Sequence, residues 1–333
     1  MSAPLIFFRR DYGCLVSGGL FAKGTQNVAI APASPLTPGL PADGINNLRG
    51  IGLMALGFFM FSLCDVQAKF LTGEFHPMQV VWARQLGLFV GVAVLLAFQG
   101  LKIFSTRRPV LQVLRGLLAA ASAALFISGI KFIPLADAAA VTFVAPFIVT
   151  ILAALILREK VGLRRWSAVA IGFLGAMIVI RPGLGVMHPA VLLIVAGAAA
   201  FALRQVVSRW VASHDKTMTT VAYTATASVL ALSIPLPFVW VAPTTAQQWA
   251  LLGGMAFSAA IGEVFIIKAL EIGQATVLAP MQYSIMIWAT LWGWIVFAQL
   301  PDLWTWFGTF IIIATGLYIV ARERRIARAS RPS

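Results

Sequence analysis

Four ionisable residues stand deep inside long apolar runs: Asp65, Arg84, Arg204 and Glu263. At the centre of a bilayer an unpaired charge of this kind costs about 2.5–3.5 kcal/mol on insertion scales, so each needs a counter-charge, a water-filled space or a ligand. Asp65 lies six residues before the end of the first run, and Arg84 six residues after the start of the second. At about 1.5 Å of helical rise per residue, both sit roughly 9 Å below the same membrane face. Arg204 and Glu263 each precede the end of their own run by seven residues, on the order of 10 Å from the opposite face. This spacing predicts one acid–base pair per leaflet, which a charged solute would break alternately as it crossed. The competing reading is structural: each pair neutralises itself between packed helices, or Arg204 reaches back to the headgroups. Lys69 and Arg209 lie closer to the faces and read as interfacial anchors.

Uncharged polar groups fill the depth between the two pairs. Ser62, Ser122, Thr142, Gln282 and Tyr283 offer hydrogen bonds to a solute, as do Thr226, Ser258 and Ser284. Trp82, Phe143, Phe147, Trp288 and Trp292 offer faces for a flat ring. With 23 Phe and 10 Trp in the chain, most aromatic side chains must instead face lipid or pack between helices. Pro146 falls in the middle of an apolar run and predicts a kink that frees a backbone carbonyl. His76, His188 and His214 fall between runs without metal-ligand spacing, and Cys14 and Cys64 form no framework, so no metal or other cofactor is expected. No glycine-rich phosphate loop ending in Gly-Lys-Ser/Thr is present, which argues against intrinsic ATP hydrolysis. The acids of the apolar runs, Asp65, Asp137 and Glu263, lie on different segments, which argues against a membrane enzyme.

The elements that must position these residues are membrane helices. The chain is 60% hydrophobic and 11% charged, where soluble domains carry roughly 25% charged residues. From Ile51 it divides into ten apolar segments: Ile51–Leu71, Met78–Phe98, Val110–Phe132, Leu135–Leu157, Leu163–Ile180, Pro189–Val211, Met218–Val241, Trp249–Leu270, Ala275–Phe297 and Leu303–Ala321. Breakers such as Pro77, Pro109, Pro134, Pro182-Gly183 and Pro301 separate them. Residues 1–47 read as a disordered cytoplasmic tail, and 322–333 as a basic one. The net charge of +14 is spread over the connectors rather than gathered in a patch, so no nucleic-acid partner is expected. With the N-terminus inside, 21 of the 25 Lys and Arg residues fall on the inner side, which predicts cytoplasmic termini at an inner (plasma) membrane.

Residues 48–181 and 188–321 align at an offset near 140. Five segments per copy, an odd number, turn the second copy upside down, and inverted repeats place a solute site where the copies meet. The fold expected is an all-α membrane protein of ten transmembrane helices in two inverted five-helix repeats. The Ala-rich faces of the third, sixth and eighth helices serve close packing.

Several motifs carry a resemblance. They are Arg115-Gly116-Leu117-Leu118, Pro134-Leu135-Ala136-Asp137 through Ala145-Pro146-Phe147, and Arg158-Glu159-Lys160-Val161-Gly162 with Arg165-Trp166. The second half repeats the pattern in Leu278-Ala279-Pro280-Met281-Gln282-Tyr283 and Trp292-Gly293-Trp294. In this order they resemble the drug/metabolite transporter superfamily, in its EamA-type branch, over about Leu48–Glu323. Gln299 departs from the pattern, since relatives usually carry an acid there, and the N-terminal tail is longer than usual. The resemblance implies a secondary carrier of a small organic metabolite, similar to bacterial members that take up S-adenosylmethionine or riboflavin. The alternative is an exporter of amino acids or drugs. Its partners would be the solute and the lipid bilayer, the chain acting as a monomer or homodimer.

Overall fold

Asn46 opens the first helix: its Oδ1 accepts the Arg49 amide at 3.1 Å, satisfying one of the free N–H groups of a helix start. Helix α1 then runs Asn47–Leu71. The computed structural model describes residues 46–156, 162–181, 188–212 and 215–329, which lie in one unit, Gly39–Ser333. Cys14, most of the expected tail, Glu159-Lys160, Pro182-Gly183 and His214 lie outside the described residues.

Among the described residues every regular element is helical. Helix α2 (Pro77–Gln99) starts with a proline where no N–H is needed, and the His76 ring accepts from the Met78 amide at 3.3 Å. A 3-10 turn, Gly100–Phe104, leads to α3 (Pro109–Ile130). Then come α4 (Leu135–Thr142), α5 (Ala145–Ile156), α6 (Leu163–Ile180), α7 (Val191–Ala212), α8 (Thr217–Ser233) and α9 (Leu236–Val239). Helix α10 (Ala246–Ile272) begins in a capping box between Thr245 and Gln248. The last elements are α11 (Ala275–Leu278), a 3-10 turn at Ala279–Tyr283, α12 (Ser284–Phe297) and α13 (Leu303–Ala329).

Three runs expected as single helices are interrupted. The fourth breaks at Phe143-Val144, with Pro146 at the second position of α5, where a missing N–H costs little. The ninth breaks around Pro280 and the seventh at Ile234-Pro235. The prolines therefore divide helices rather than only kinking them. The last helix also continues past residue 321 to Ala329.

Among the described residues six helices are long and apolar enough to cross a membrane: Asn47–Leu71, Pro77–Phe98, Pro109–Ile130, Leu135–Ile156 (α4 with α5), Val191–Ser208 and Ala246–Ile272. Trp166–Ile180 and Leu303–Ile319 are shorter apolar helices. The chain is a multi-pass helical membrane protein.

Its helices pack in matched antiparallel pairs. Helix α1 lies along α10, and α3 along α7. A Cβ on Gly57 would stand 3.1 Å from the Gly262 carbonyl oxygen, and one on Gly262 would stand 3.2 Å from that of Gly57. Only hydrogen fits there, so the two backbones meet directly. In the other pair the Ser122 hydroxyl donates to the Gly197 carbonyl at 2.9 Å. The Ala-rich helices do make these close contacts. Helix α2 runs antiparallel to α8: Trp82 meets Trp240 at one end, and Phe104 meets Tyr223 at the other. Helix α6 runs antiparallel to α13, with Gly175 against Gly308 and Arg181 paired to Asp302. Helix α5 packs on α7, and α12 packs on α1.

Candidate functional site

Between these helices lies a cavity of about 700 Å³, within the range of small-molecule sites. Helix periodicity explains its lining. From α1 it takes Phe58, Phe61, Ser62 and Asp65, and from α3 Ala119, Ser122, Ala123 and Phe126. Both sets follow the i, i+3, i+4, i+7 spacing of one helix face. Helix α7 supplies Gly197, Phe201, Arg204 and Gln205, α10 supplies Glu263, and α2 supplies Arg84 and Gln85. The broken fourth segment contributes Thr142, Phe143, Pro146, Phe147 and Thr150, and the broken ninth contributes Gln282 and Tyr283. The two interrupted segments thus meet at the cavity, where the Phe143 and Tyr283 rings lie 5.2 Å apart between centroids.

Of the residues expected at a site, the structure brings Asp65, Arg84, Phe143, Arg204, Glu263, Gln282 and Tyr283 onto this cavity. Arg84 NH1 stands 3.8 Å from Asp65 Oδ1, and that oxygen has no hydrogen bond among the described residues. The two side chains form a charge pair too long for a hydrogen bond. The Arg84 guanidinium also lies 5.9 Å from the Phe61 ring.

The other expected acid–base pair is not formed. Among the described residues no ion pair joins Arg204 to Glu263, and the Arg204 Nε has no hydrogen-bond partner. The guanidinium instead lies 4.7 Å from the Phe201 ring. Matching depth did not bring the charges together because α7 packs on α3 and α5, whereas α10 packs on α1 and α2.

Trp82 and Trp288 are absent from the lining. Trp82 stands two residues from Arg84, about 200° round the helix. Its indole N–H donates to the Ser233 hydroxyl at 2.9 Å, and its ring meets Trp240 edge-on at 6.0 Å. Trp288 falls off the Ile285–Ala289 stripe and packs edge-on against Phe59 at 5.1 Å.

Polar clasps close both ends of the bundle. Where α2 begins, the Gln79 amide donates to the Val241 carbonyl at 2.7 Å and accepts from the Val241 amide at 2.9 Å. Lys69 donates to the Ile133 carbonyl at 2.5 Å, and Glu74 accepts from Gln248. At the other end Asp215 accepts from Thr106 at 2.5 Å and from Gln112 at 2.8 Å. Arg115 donates to Ser208 at 2.7 Å and to Thr224. Sequence reasoning missed Gln79, Gln112 and Asp215 as clasps, and Gln85 and Gln205 as lining. The available signal was glutamine, costly to leave unpaired, inside or at the edge of apolar runs.

The arrangement provides ring faces, hydrogen-bond groups and opposed charges around one cavity. Known proteins match it over most of its length. The sequence profile of the EamA-like transporter family matches residues 48–181 and again 188–322. The chain is 27% identical over 279 residues to an S-adenosylmethionine uptake transporter of Rickettsia prowazekii, covering 84% of this chain and 94% of that protein. It is 32% identical over 202 residues to a riboflavin transporter of Vibrio cholerae, covering 60% and 67% respectively. It is 26% identical over 273 residues to a pseudopaline exporter of Pseudomonas aeruginosa, covering 79% and 93%. A protein of known crystal structure shares the fold with a TM-score of 0.56 at 15% identity, over 84% of this chain and 98% of its own.

Proposed function

This chain belongs to the EamA-like transporter family, and from that premise we propose that it carries a nucleoside-like or vitamin-like metabolite across the inner membrane by alternating access. That it is a transporter of small metabolites rather than an enzyme follows from the family and from its named relatives. The observation that carries the finer reading is the cavity of about 700 Å³, lined by ring faces and by both signs of charge. S-adenosylmethionine is the first solute to test, because the uptake transporters named for it are matched over nearly their whole length. Riboflavin is the second. The exporter relative favours the reverse direction as the alternative.

The architecture we propose is ten spans in two inverted five-helix repeats, with both termini cytoplasmic. Two facts support it. The family profile matches the chain twice, and exchanging the two halves maps the helix pairs onto one another. The α1–α10 contact becomes α7–α3, while α2–α8 and α6–α13 map onto themselves and run antiparallel. In an inverted repeat, equivalent helices must be antiparallel where they meet. Asp65, Arg84, Phe143, Arg204, Glu263, Gln282 and Tyr283 are proposed as binding or gating residues.

Uptake of radiolabelled S-adenosylmethionine and riboflavin by proteoliposomes holding the full chain tests the function. Saturable uptake with counterflow of one of them supports it. Absence of transport of both defeats this substrate reading, and non-saturable leakage defeats the carrier reading.

A further inference from the structure

Arg204 and Glu263 differ from Arg84, Arg115 and Lys69. Arg84 has Asp65 at 3.8 Å. Arg115 is held by Ser208 at 2.7 Å and by Thr224. Lys69 donates to the Ile133 carbonyl at 2.5 Å. Arg204 and Glu263 both line the cavity, and among the described residues neither side chain has a hydrogen bond or an ion pair. The Arg204 Nε is buried without a hydrogen bond, which is costly at this depth until a counter-charge, water or a ligand meets it. The charged side chains on the cavity wall are Asp65 and Glu263 of one sign and Arg84 and Arg204 of the other, and only Asp65 and Arg84 are engaged with each other.

We propose that Arg204 and Glu263 form a divided receptor for a zwitterion: the Arg204 guanidinium takes a carboxylate, and Glu263 takes a cationic group of the same molecule. The planar fork of arginine matches a carboxylate with two parallel N–H donors. The Phe201 ring lies 4.7 Å from the Arg204 guanidinium, and Phe126 and Phe143 line the same cavity, where a solute's flat part would meet them. The ligand class is an amino-acid head group joined to a ring system. This inference rests on the cavity being the solute site.

Binding to the purified full chain tests it, with two matched pairs of probes. S-adenosylhomocysteine carries the zwitterionic end and 5′-methylthioadenosine lacks it; phenylalanine carries a carboxylate and phenethylamine lacks it. The zwitterion of at least one pair is expected to bind ten or more times tighter than its partner. Arg204→Gln should abolish that preference, and Arg204→Lys should restore part of it. Glu263→Gln should weaken binding of S-adenosylhomocysteine, and should weaken phenylalanine and phenethylamine alike, since both carry the ammonium group. Melting temperatures without ligand identify any variant that fails to fold, and the Lys variant then carries the comparison. Equal binding within both pairs, no binding of any probe, or a preference that survives Arg204→Gln overturns the inference. None of these results touches the carrier reading, which the uptake assay decides separately.

Discussion

The rings of Phe143 and Tyr283 meet at 5.2 Å, and the two residues stand 140 positions apart, as do the starts of the two family-matched segments at 48 and 188. Equivalent points of a duplicated chain touch only near the axis that exchanges the copies. Both residues lie where a transmembrane run is broken by a nearby proline, Pro146 in one copy and Pro280 in the other. Such a contact can shift without unfolding a continuous helix, which suits the alternating access proposed above, in which the halves would move against each other.

The Asp65–Arg84 pair is expected to behave as a coupled unit. Asp65→Asn and Arg84→Gln should each lower uptake at least tenfold, and each should lower the folded yield. Breaking a buried pair costs about 3–5 kcal/mol. The cost here should fall below that, because the side chains stay 13% and 18% exposed. The double variant should recover yield but not transport. Losses that simply add across the cycle would show the residues to be uncoupled.

Topology can be read by cysteine labelling in intact cells. Ser105 follows the turn after α2, and Gln247 opens α10. With cytoplasmic termini and inverted copies, a cysteine at Gln247 reacts with an impermeant reagent added outside. A cysteine at Ser105 reacts only after the cells are opened. The reverse pattern would place the termini outside.

How much of this was legible beforehand follows from what sequence encodes. Depth in a membrane is encoded by counting residues from a run's end, so Asp65 and Arg84, on adjacent antiparallel helices, could be paired. Azimuth is encoded only relative to the same helix. The partner of α7 could not be read, and Arg204 was matched to Glu263 across helices that do not pack together. Trp82 failed for a related reason: its 200° separation from Arg84 was available, but not which side faced the cavity. The breaks at Phe143-Val144 and Ile234-Pro235 were hidden because apolar composition continues across them. The contacts of Arg115 to Ser208 and Thr224 depend on three helices meeting, which the sequence does not encode.

The α6–α13 seam should tolerate no side chain. A Cβ on Gly175 would stand 3.0 Å from the Gly308 carbonyl oxygen, so Gly175→Leu must push two backbones apart. Overpacking of this kind costs about 1–3 kcal/mol. The expected result is a lower melting temperature in detergent and a reduced folded yield. By contrast, Gly253→Leu, where an added Cβ meets nothing within 4 Å, should leave both unchanged. Equal effects at the two positions would refute the close approach.

The Arg181–Asp302 contact predicts a pH dependence outside the spanning helices. Partial burial pushes the Asp302 carboxyl up, but the Thr305 backbone amide, donating at 2.8 Å, and the Arg181 guanidinium outweigh it and hold the carboxyl below its ordinary value. A carboxyl whose folded value is depressed stabilises the fold above its unfolded value, about 3.9. That stability is lost as the pH falls through the lowered folded value. Asp302→Asn should therefore lower the melting temperature at pH 7, and its gap to the parent protein should close as the pH is taken below about 4. The effect should be small, because the Asp302 side chain is 44% exposed and screened by solvent. Arg181→Gln should reproduce much of it, since it removes the same charge contact, which joins the end of α6 to the start of α13. A gap that stays constant from pH 7 to pH 3 would show that neither the Thr305 amide nor Arg181 holds the Asp302 carboxyl down.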